Sequence, residues 1–312
     1  MSLKLSVCFI TYNHEKYVRQ ALESVLMQQC DFDFEIVIGN DFSTDGTTAI
    51  VEEFAKKYPQ KIRLNRFEKN VGMTGNWVST MTACRGEYVA MLEGDDFWTD
   101  PTKLQKQVAL LDSRPEISFV CHDVETIFEE GVRKRDPAYH MDKQSEFTIH
   151  DILDEKWFIP TCSMVYRKSN LPEFPKWVDE RVKCIDLFVK LLLSAQNSYL
   201  YTNEKMGKYR IHEGGISQHW KRKLNTYEYD VINVLRLFNG FSKYKYNEEI
   251  NDRVERHYHV LLHQNKYNSL IYNKALFGLM RVRPRKNMAL FKGWLIHNFI
   301  PAKIYSALKK TS

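Results

Sequence analysis

The chain has 312 residues, of which 44% are hydrophobic, 13% aromatic and 27% charged. This composition is sufficient to bury a core, and it excludes a wholly disordered protein. The formal net charge of +6 is uneven, because residues 221–312 contain 18 Lys and Arg against 6 Asp and Glu, a balance of +12 that leaves −6 for residues 1–220.

Strand-length apolar runs alternate with helix-length amphipathic runs through the first 120 residues, which predicts a parallel sheet built from βαβ units. The predicted strands are residues 5–11, 34–40, 62–67, 87–92 and 117–122, and the predicted helices are residues 17–28, 47–58, 75–84 and 103–113.

The pattern changes after residue 122. It predicts a hairpin at 126–136, a short capped helix within 145–155, a strand that ends at Pro172, an apolar helix at 185–195, and a pair of strands at 197–201 and 205–212. Beyond residue 220 helical patterns dominate.

The first apolar run is about seven residues long, which is too short for a signal peptide. No apolar run approaches the ~20 residues of a membrane span. We therefore expect a cytoplasmic protein with reduced thiols, since its six cysteines show no CxxC or zinc-finger spacing.

Three polar segments follow predicted strands. The first, DFSTDGT at 41–47, forms either a simple strand-to-helix turn or a ligand site, where the Asp41 carboxylate could accept the imide N–H of a uracil. The second is TYN at 11–13, whose Tyr12 could stack on a base or simply pack. Such strand ends share one edge of a parallel sheet, where open α/β folds bind ligands.

The third segment, LEGDDFW at 92–98, crowds Glu93, Asp95 and Asp96 behind a strand. Neighbouring carboxylates repel one another unless a cation or hydroxyl groups offset their charge. A divalent ion held by one or two carboxylates and by substrate phosphates would meet this need, and a solvated acidic turn is the alternative.

Five motifs in order resemble the family-2, GT-A-fold nucleotide-sugar glycosyltransferases: TYN, DFSTDGT, NVGMTGN at 70–76, RGEYVAMLEGDDFW at 85–98 and YRIHEGGIS at 209–217. The resemblance implies an α/β fold of the GT-A class, a Rossmann-like and mostly parallel sheet flanked by helices, with a helical basic C-terminal extension. It implies a catalytic domain at 1–220, with a nucleotide-sugar half at 1–122 and an acceptor half at 123–220, and a helical basic region at 221–312.

The resemblance also implies an inverting, metal-dependent reaction and its site residues. The residues implied to bind the nucleotide sugar, a UDP-sugar in the first place, are Thr11, Tyr12, Asn13, Asp41, Asn70, Glu93, Asp96 and Arg210. Asp95 would hold Mn2+ or Mg2+, His212 would contact the metal or the pyrophosphate, and Arg210 could contact a phosphate. Asp186 would take the proton of the acceptor hydroxyl. Asp179 and Glu180 are alternative bases, and Asp186 could instead cap its helix.

Two residues depart from the commoner family pattern, because Glu93 replaces an Asp and Asn40 replaces the first Asp of an Asp-Asp pair. These departures lend slight support to a non-catalytic nucleotide-binding module. A nucleotidyltransferase is disfavoured, because FITYNHEKY lacks the basic glycine-rich loop that would hold a triphosphate.

The basic segment at 281–310 mixes Arg and Lys with aromatic and aliphatic residues, as interfacial membrane segments do. It could bind an anionic membrane surface or pack on the catalytic domain. The resemblance implies a glycan or lipid-linked acceptor, in surface polysaccharide or glycolipid assembly. A nucleic-acid-binding protein is the rival from another class, but it leaves the acidic cluster unexplained, so no nucleic acid is expected. His257, His259 and His263 predict an exposed polar helix face, with a metal site as the alternative.

Overall fold

The computed structural model describes residues 3–132, 141–155, 159–175, 178–216, 224–267 and 269–299. The chain consists of two compact units, residues 1–222 and 223–312. The first unit contains the sheet, and the second is helical in its described part.

The described residues of the first unit form a nine-stranded sheet. Its strands are β1 (Leu5–Thr11), β2 (Phe34–Asn40), β3 (Ile62–Arg66), β4 (Tyr88–Glu93), β5 (Phe97–Trp98), β6 (Ile117–Phe128), β7 (Ser145–Phe147), β8 (Val165–Arg167) and β9 (Ser198–Ile211). They run in the order β3-β2-β1-β4-β8-β6-β9-β5, with β7 beside β9.

The first four strands are parallel, and the short strand β8 inserts antiparallel between β4 and β6. Strand β6 then pairs in parallel with β9, whose other partners β5 and β7 are antiparallel. Every residue of β1 is buried, as expected for a central strand covered on both faces. The predicted α/β sheet is therefore confirmed, with β1 to β4 parallel and with β5, β7 and β8 as antiparallel additions.

The helices of this unit are α1 (Val18–Leu26), α2 (Thr47–Lys57), α3 (Gly72–Ala83), α4 (Lys103–Ser113), α5 (Ile149–Leu153), α6 (Val178–Arg181) and α7 (Ile185–Ser194). Helix α1 shows why they pack as they do. Its buried Val18, Ala21, Leu22 and Val25 recur with helical spacing and join the core cluster with the apolar residues of the sheet.

The predicted strand pair at 197–201 and 205–212 is wrong, because residues 198–211 form the single strand β9. Its pairing with β6 shifts where His122 faces Thr202 and Asp123 faces Lys205. The polar Asn203 and Glu204 therefore lie at a β-bulge, which bends a strand without reversing it.

The hairpin predicted at 126–136 is observed only in part. Strand β6 continues to Phe128 and pairs with β9, and residues 129–132 turn at Gly131, whose φ of 84° suits glycine. Residues 133–136 lie outside the described part of the chain.

The second unit contains α8 (Leu224–Phe241), α9 (Asn247–Gln264), α10 (Leu270–Val282) and α11 (Pro284–Phe299). Buried side chains of α9 and α10 meet where Gly278 leaves room for the Tyr258 ring, since a Cβ at Gly278 would lie 2.3 Å from Tyr258 Cζ. His257 corrects the prediction of an exposed face, because it is buried against Glu228. Among the described helices, none is both long and apolar enough to cross a membrane.

Candidate active site

The strand register brings three polar segments to one edge of the sheet. Thr11 at the end of β1 lies opposite Asn40 at the end of β2, and Ile10 lies opposite Glu93 at the end of β4. Because these strands are parallel, the residues that follow them project from the same edge. The motifs TYN, DFSTDGT and LEGDDFW thus lie together at one edge of the sheet.

Asp41 is buried behind β2 and holds the start of α3. Its Oδ1 accepts a 2.7 Å hydrogen bond from the Val71 amide, and its carbonyl accepts one of 3.0 Å from Asn70 Nδ2. Burial raises the pKa of Asp41, although the amides of Val71 and Gly72 partly oppose the shift. Asp41 and Asn70, which are both predicted to bind the nucleotide sugar, therefore lie together, and the carboxyl group of Asp41 is desolvated.

Asn13 joins the ends of β1 and β2. It adopts a φ of 55°, and its Oδ1 accepts a 2.8 Å hydrogen bond from the Thr44 amide. The neighbouring Tyr12 is 43% exposed, and Phe42, at a φ of 58°, is 53% exposed. Exposed aromatic rings beside a buried carboxylate are suited to stacking against a planar base.

The acidic turn after β4 is held tightly against β1. The Gly94 amide donates to the Ile10 carbonyl at 2.8 Å, and the Asp96 amide donates to the Glu93 carbonyl at 3.1 Å. A Cβ at Gly94 would lie 2.5 Å from Thr11 Oγ1 and 3.0 Å from His14 Nδ1. Only glycine fits here without displacing Thr11, which is itself buried.

A carboxylate and two imidazoles converge at this turn. Asp95 Oδ2 lies 3.1 Å from His212 Nε2 and 3.7 Å from His14 Nε2. One ligand atom from each residue fits within 4.8 Å of the other two. Burial raises the pKa of Asp95, but His14 and the hydrogen-bonded His212 outweigh it and lower the pKa to about 2.

This cluster fits a divalent ion. Ligand atoms about 2.1 Å from a common centre stand roughly 3 to 4.2 Å apart, which the observed separations approach. Thr11 Oγ1 lies 3.2 Å from His14 Nδ1, so a hydrogen bond there would leave Nε2 as the ligand atom. Tyr17 packs its ring 4.7 Å from that of His212.

Glu93 differs in character from Asp95. Burial, reinforced by the charges of Asp95 and Asp186 and opposed by Lys190, raises the pKa of Glu93 to about 8. Its Oε2 has no hydrogen-bond partner among the described residues. A carboxyl group of this kind can carry its own proton near neutral pH and can donate a hydrogen bond to a hydroxyl group.

Arg210 binds the acidic turn from the side of β9. Its backbone amide donates to Asp96 Oδ1 at 2.7 Å, and its Nε donates to the Asp95 carbonyl at 2.9 Å. The two terminal nitrogens donate to Glu129 Oε1 at 3.2 Å and to Gln20 Oε1 at 2.9 Å. Because protein groups engage all three guanidinium nitrogens, the predicted contact of Arg210 with a substrate phosphate stays a prediction.

Asp96 is buried, with 3% of its surface exposed. Burial and the charges of Asp95 and Glu93 raise its pKa well above the ordinary value. The hydrogen bond from the Arg210 amide ties the Asp96 carboxyl group, and with it the acidic turn, to β9. The predicted contact of Asp96 with the nucleotide sugar stays a prediction.

Asp186 occupies the first turn of α7 and is paired with Lys190 one turn later, at 3.0 Å. Lys190 is buried, and the charges of both residues act on Glu93. Asp186 is therefore electrostatically linked to the acidic turn. The side chains of the alternative bases Asp179 and Glu180 lie outside the described residues.

Three residues contribute to this site although the sequence did not predict them: His14, Tyr17 and Glu129. Tyr17 Oη donates to Glu129 Oε2 at 2.9 Å, and the Arg210 guanidinium lies 4.7 Å from the Tyr17 ring. His14 follows the TYN segment directly, and its place after a strand end was the available signal. Glu129 was assigned to a hairpin, which concealed its role.

Comparison with known proteins identifies relatives of this chain. The model of the family described as "Glycosyl transferase family 2" matches residues 6–173. An uncharacterized protein of Mycobacterium tuberculosis is 36% identical over 213 residues, which cover 68% of this chain and 60% of that protein. A protein of Mycobacterium bovis matches to the same extent, so the matched part spans about 60% of the length of both relatives.

Two solved structures share the fold. TarS of Staphylococcus aureus, named a poly(ribitol-phosphate) β-N-acetylglucosaminyltransferase, was solved with UDP; its TM-score is 0.66 at 18% identity, covering 92% of this chain and 83% of that chain. The mannosyltransferase PcManGT of Pyrobaculum calidifontis was solved with GDP-Man and Mn2+. Its TM-score is 0.55 at 14% identity, and the match covers 95% of this chain and 86% of that chain.

These likenesses confirm the predicted GT-A fold class, with its helical C-terminal region. The family match begins in β1 and continues beyond β8, so it includes the strands whose ends carry the acidic turn and Asp41. The chain belongs to glycosyl transferase family 2.

Proposed function

We propose that residues 1–222 transfer a sugar from a UDP-sugar to an acceptor hydroxyl with inversion at the anomeric carbon. The observation that carries the proposal is the convergence of His14, Asp95 and His212 at the sheet edge that also holds Asp41. A cation site beside a pocket for a planar base matches the two ends of a nucleoside diphosphate.

The nucleoside end would lie near Asp41 and Tyr12. An exposed ring at Tyr12 and a buried carboxyl group at Asp41 offer stacking and hydrogen bonding to a uracil. Thr11, Asn13 and Asn70 would hold the loops around the base, and Glu93 would face the ribose. The fold shared with TarS, which was solved with UDP and with UDP-GlcNAc, supports UDP as the first choice.

The diphosphate end would lie at His14, Asp95 and His212, which would hold Mn2+ or Mg2+. Such an ion supplies positive charge to the departing diphosphate. Two imidazoles and one carboxylate favour Mn2+ over Mg2+, because Mg2+ prefers oxygen ligands and water. Arg210, with Glu129 and Tyr17, would hold the carbonyl and the side chains of the acidic turn in place.

Asp186 would act as the general base. The acceptor oxygen forms its bond to the anomeric carbon as the bond from that carbon to the diphosphate oxygen breaks, and the hydroxyl proton passes to the Asp186 carboxylate. The nucleoside diphosphate leaves with the electron pair of the broken bond. A single displacement of this kind inverts the anomeric centre.

The acceptor would be a hydroxyl of a cell-surface glycan or of a lipid-linked precursor, acted on at the cytoplasmic side. The name of TarS, whose acceptor is poly(ribitol-phosphate), supports a surface polymer as the acceptor class. The acceptor half, residues 123–220, would form the wall of the site, and this wall would face the acceptor hydroxyl.

A combined binding and turnover experiment tests the proposal. Native protein should be stabilised in a thermal-shift assay by UDP with Mn2+, more than by other nucleoside diphosphates. Asp186→Asn should keep this shift and lose transfer from a UDP-sugar, whereas Asp95→Asn should lose transfer and the part of the shift that depends on Mn2+. Full transfer activity in both variants, or no thermal shift with any nucleoside diphosphate, would refute the assignment and favour a non-catalytic protein.

A further inference from the structure

The C-terminal part of the chain has an unusual charge distribution. No Asp or Glu occurs after Glu255, whereas 11 Lys and Arg follow it up to residue 312. Helices α10 and α11 both lie in this acid-free segment. Their cations can therefore be neutralised only by residues elsewhere in the protein or by a partner.

Some of these cations are neutralised within the unit. Arg283 pairs with Glu248 and Asp252 of α9, and Lys286 pairs with Glu255. Four others, Lys274, Arg281, Arg285 and Lys292, have no acidic partner in the described part of the chain. These two groups divide the helices into a side bound to α9 and a side that faces solvent.

The solvent side of α10 combines cations with large apolar residues. Leu270, Lys274, Phe277 and Arg281 follow one another at helical spacing, and all four are exposed. Leu270 is 71% exposed and Phe277 is 44% exposed. Residues at this spacing share one face of a helix.

Helix α11 extends this surface. Met288, Lys292 and Leu295 follow one another at helical spacing on α11, and all three are exposed. Phe277 of α10 contacts Trp294 of α11 edge to face, with ring centroids 5.3 Å apart. The two helices therefore form one continuous surface, the α10–α11 face, which consists of Leu270, Lys274, Phe277, Arg281, Met288, Lys292 and Leu295.

We propose that the α10–α11 face binds the surface of a lipid bilayer that contains anionic lipid. Apolar side chains can enter the headgroup boundary while the cations contact lipid phosphates, and both contributions strengthen interfacial binding. This inference rests on the second unit alone and does not depend on the proposed transferase activity.

The composition of the face argues against two other occupants. A second copy docking through the same surface would bring cations against cations with no acid to offset them, which is unfavourable. Nucleic acid would use the cations but would leave Leu270, Met288 and Leu295 without a role, since phosphate contacts are polar. A bilayer with anionic headgroups uses both kinds of side chain.

Vesicle co-sedimentation of the full chain tests this proposal. Native protein should sediment with vesicles of phosphatidylcholine mixed with phosphatidylglycerol, and should bind phosphatidylcholine vesicles weakly. Lys274→Glu with Arg281→Glu should weaken binding by about tenfold or more, since each cation near an anionic surface contributes on the order of a factor of five. Leu270→Gln with Leu295→Gln should weaken binding in both low and high salt.

The matched control is Lys56→Glu with Lys57→Glu, which makes the same change of charge on exposed residues of α2 in the first unit. This variant should bind vesicles as the native protein does. Equal loss in the control, or unchanged binding in both α10–α11 variants, would overturn the proposal. Binding to duplex DNA without vesicle binding, or a dimer that Leu270→Gln dissociates, would also overturn it and identify another occupant.

Discussion

His212 Nε2 lies 3.1 Å from Asp95 Oδ2, although 117 residues separate them in the sequence. The contact joins the acidic turn behind β4 to the residue that follows β9, and Arg210 reinforces it from the same strand. With His14 on the other side of the carboxylate, the site is built from three separate segments of the sheet edge. Its chemistry therefore depends on how accurately β9 holds the turn.

The first prediction concerns metal selectivity. His14→Gln and His212→Gln should each weaken Mn2+ binding by about tenfold or more, because each removes an imidazole ligand, and should weaken Mg2+ binding less. Equilibrium titration of the nucleotide-free protein measures both affinities. Pulsed EPR of bound Mn2+ should detect nitrogen coupling from two imidazoles in native protein and from one in each variant.

The exposed His263 of α9 provides the control, since His263→Gln should leave Mn2+ affinity unchanged. If His14→Gln retains native Mn2+ affinity and both nitrogen couplings persist, His14 is not a ligand. The site would then consist of Asp95 and His212 alone.

The second prediction separates two roles for Arg210. If Arg210 positions the acidic turn, Arg210→Met should lower turnover by about tenfold to a hundredfold and weaken Mn2+ binding, because small displacements of a catalytic group are costly. Metal-free UDP affinity should stay native. Glu129→Gln should produce a smaller change in the same direction, since it weakens a single contact of the guanidinium.

Calorimetric titration with UDP, with and without Mn2+, makes this distinction. A loss of metal-free UDP affinity in Arg210→Met, together with native behaviour of Glu129→Gln, would instead support a direct contact of Arg210 with the substrate phosphate.

The third prediction concerns Gly94. In Gly94→Ala the new Cβ would stand 2.5 Å from Thr11 Oγ1, so the turn must shift away from β1. We expect the free energy of unfolding to fall by about 1–3 kcal/mol, as in other overpacked cores, and Mn2+ affinity to fall with it. Gly240→Ala, where no atom lies within 4 Å of the added Cβ, should be neutral or slightly stabilising. Chemical denaturation compares the two, and equal stabilities would contradict the close approach.

The fourth prediction concerns Lys103, which is fully buried with its Nζ 3.9 Å from the centre of the Trp98 ring. Its Nζ has no hydrogen-bond partner among the described residues, and burial lowers the pKa of Lys103 to about 7. Lys103→Met should therefore raise the free energy of unfolding by about 1–3 kcal/mol at pH 6, where the native state carries a buried charge.

This gain should shrink as the pH rises from about 7 to about 10. In that window the unfolded lysine binds a proton that the folded lysine has released, so the free energy of unfolding of the native protein rises with pH. The Met variant has no titrating group at this position and does not share this rise. Thermal or urea unfolding across the pH range measures the difference. A variant less stable than native protein at pH 6 would indicate that the contact between the Lys103 cation and the Trp98 ring outweighs the cost of burial.

Periodicity predicted the first four strands of the sheet within one residue, because each is a short apolar run bounded by polar turns. Strand β9 was mispredicted, since Asn203 and Glu204 resemble a turn in sequence but occupy a bulge in the structure. The difference depends on the pairing of β9 with β6, about 80 residues earlier, which no local pattern contains.

The site likewise depends on contacts between residues that are distant in the sequence. Motif resemblance predicted that Asp95 and His212 act together, and the structure brings them into contact, although metal binding itself stays a prediction. The contributions of His14 and Glu129 arise from tertiary contacts between strand ends. The contacts of Arg210 likewise follow from the register of β9, which sets its guanidinium against Glu129 and Gln20.

The central claim is that Asp95 and its two histidines bind a divalent ion that in turn binds a nucleoside diphosphate. Calorimetric titration with UDP, in the presence and absence of Mn2+, tests it on native protein and on Asp95→Asn. We predict that Mn2+ tightens UDP binding about tenfold or more in native protein and has no effect in Asp95→Asn, because the carboxylate is the charged ligand of the ion. Equal enhancement in both proteins, or no UDP binding in either, would contradict the claim.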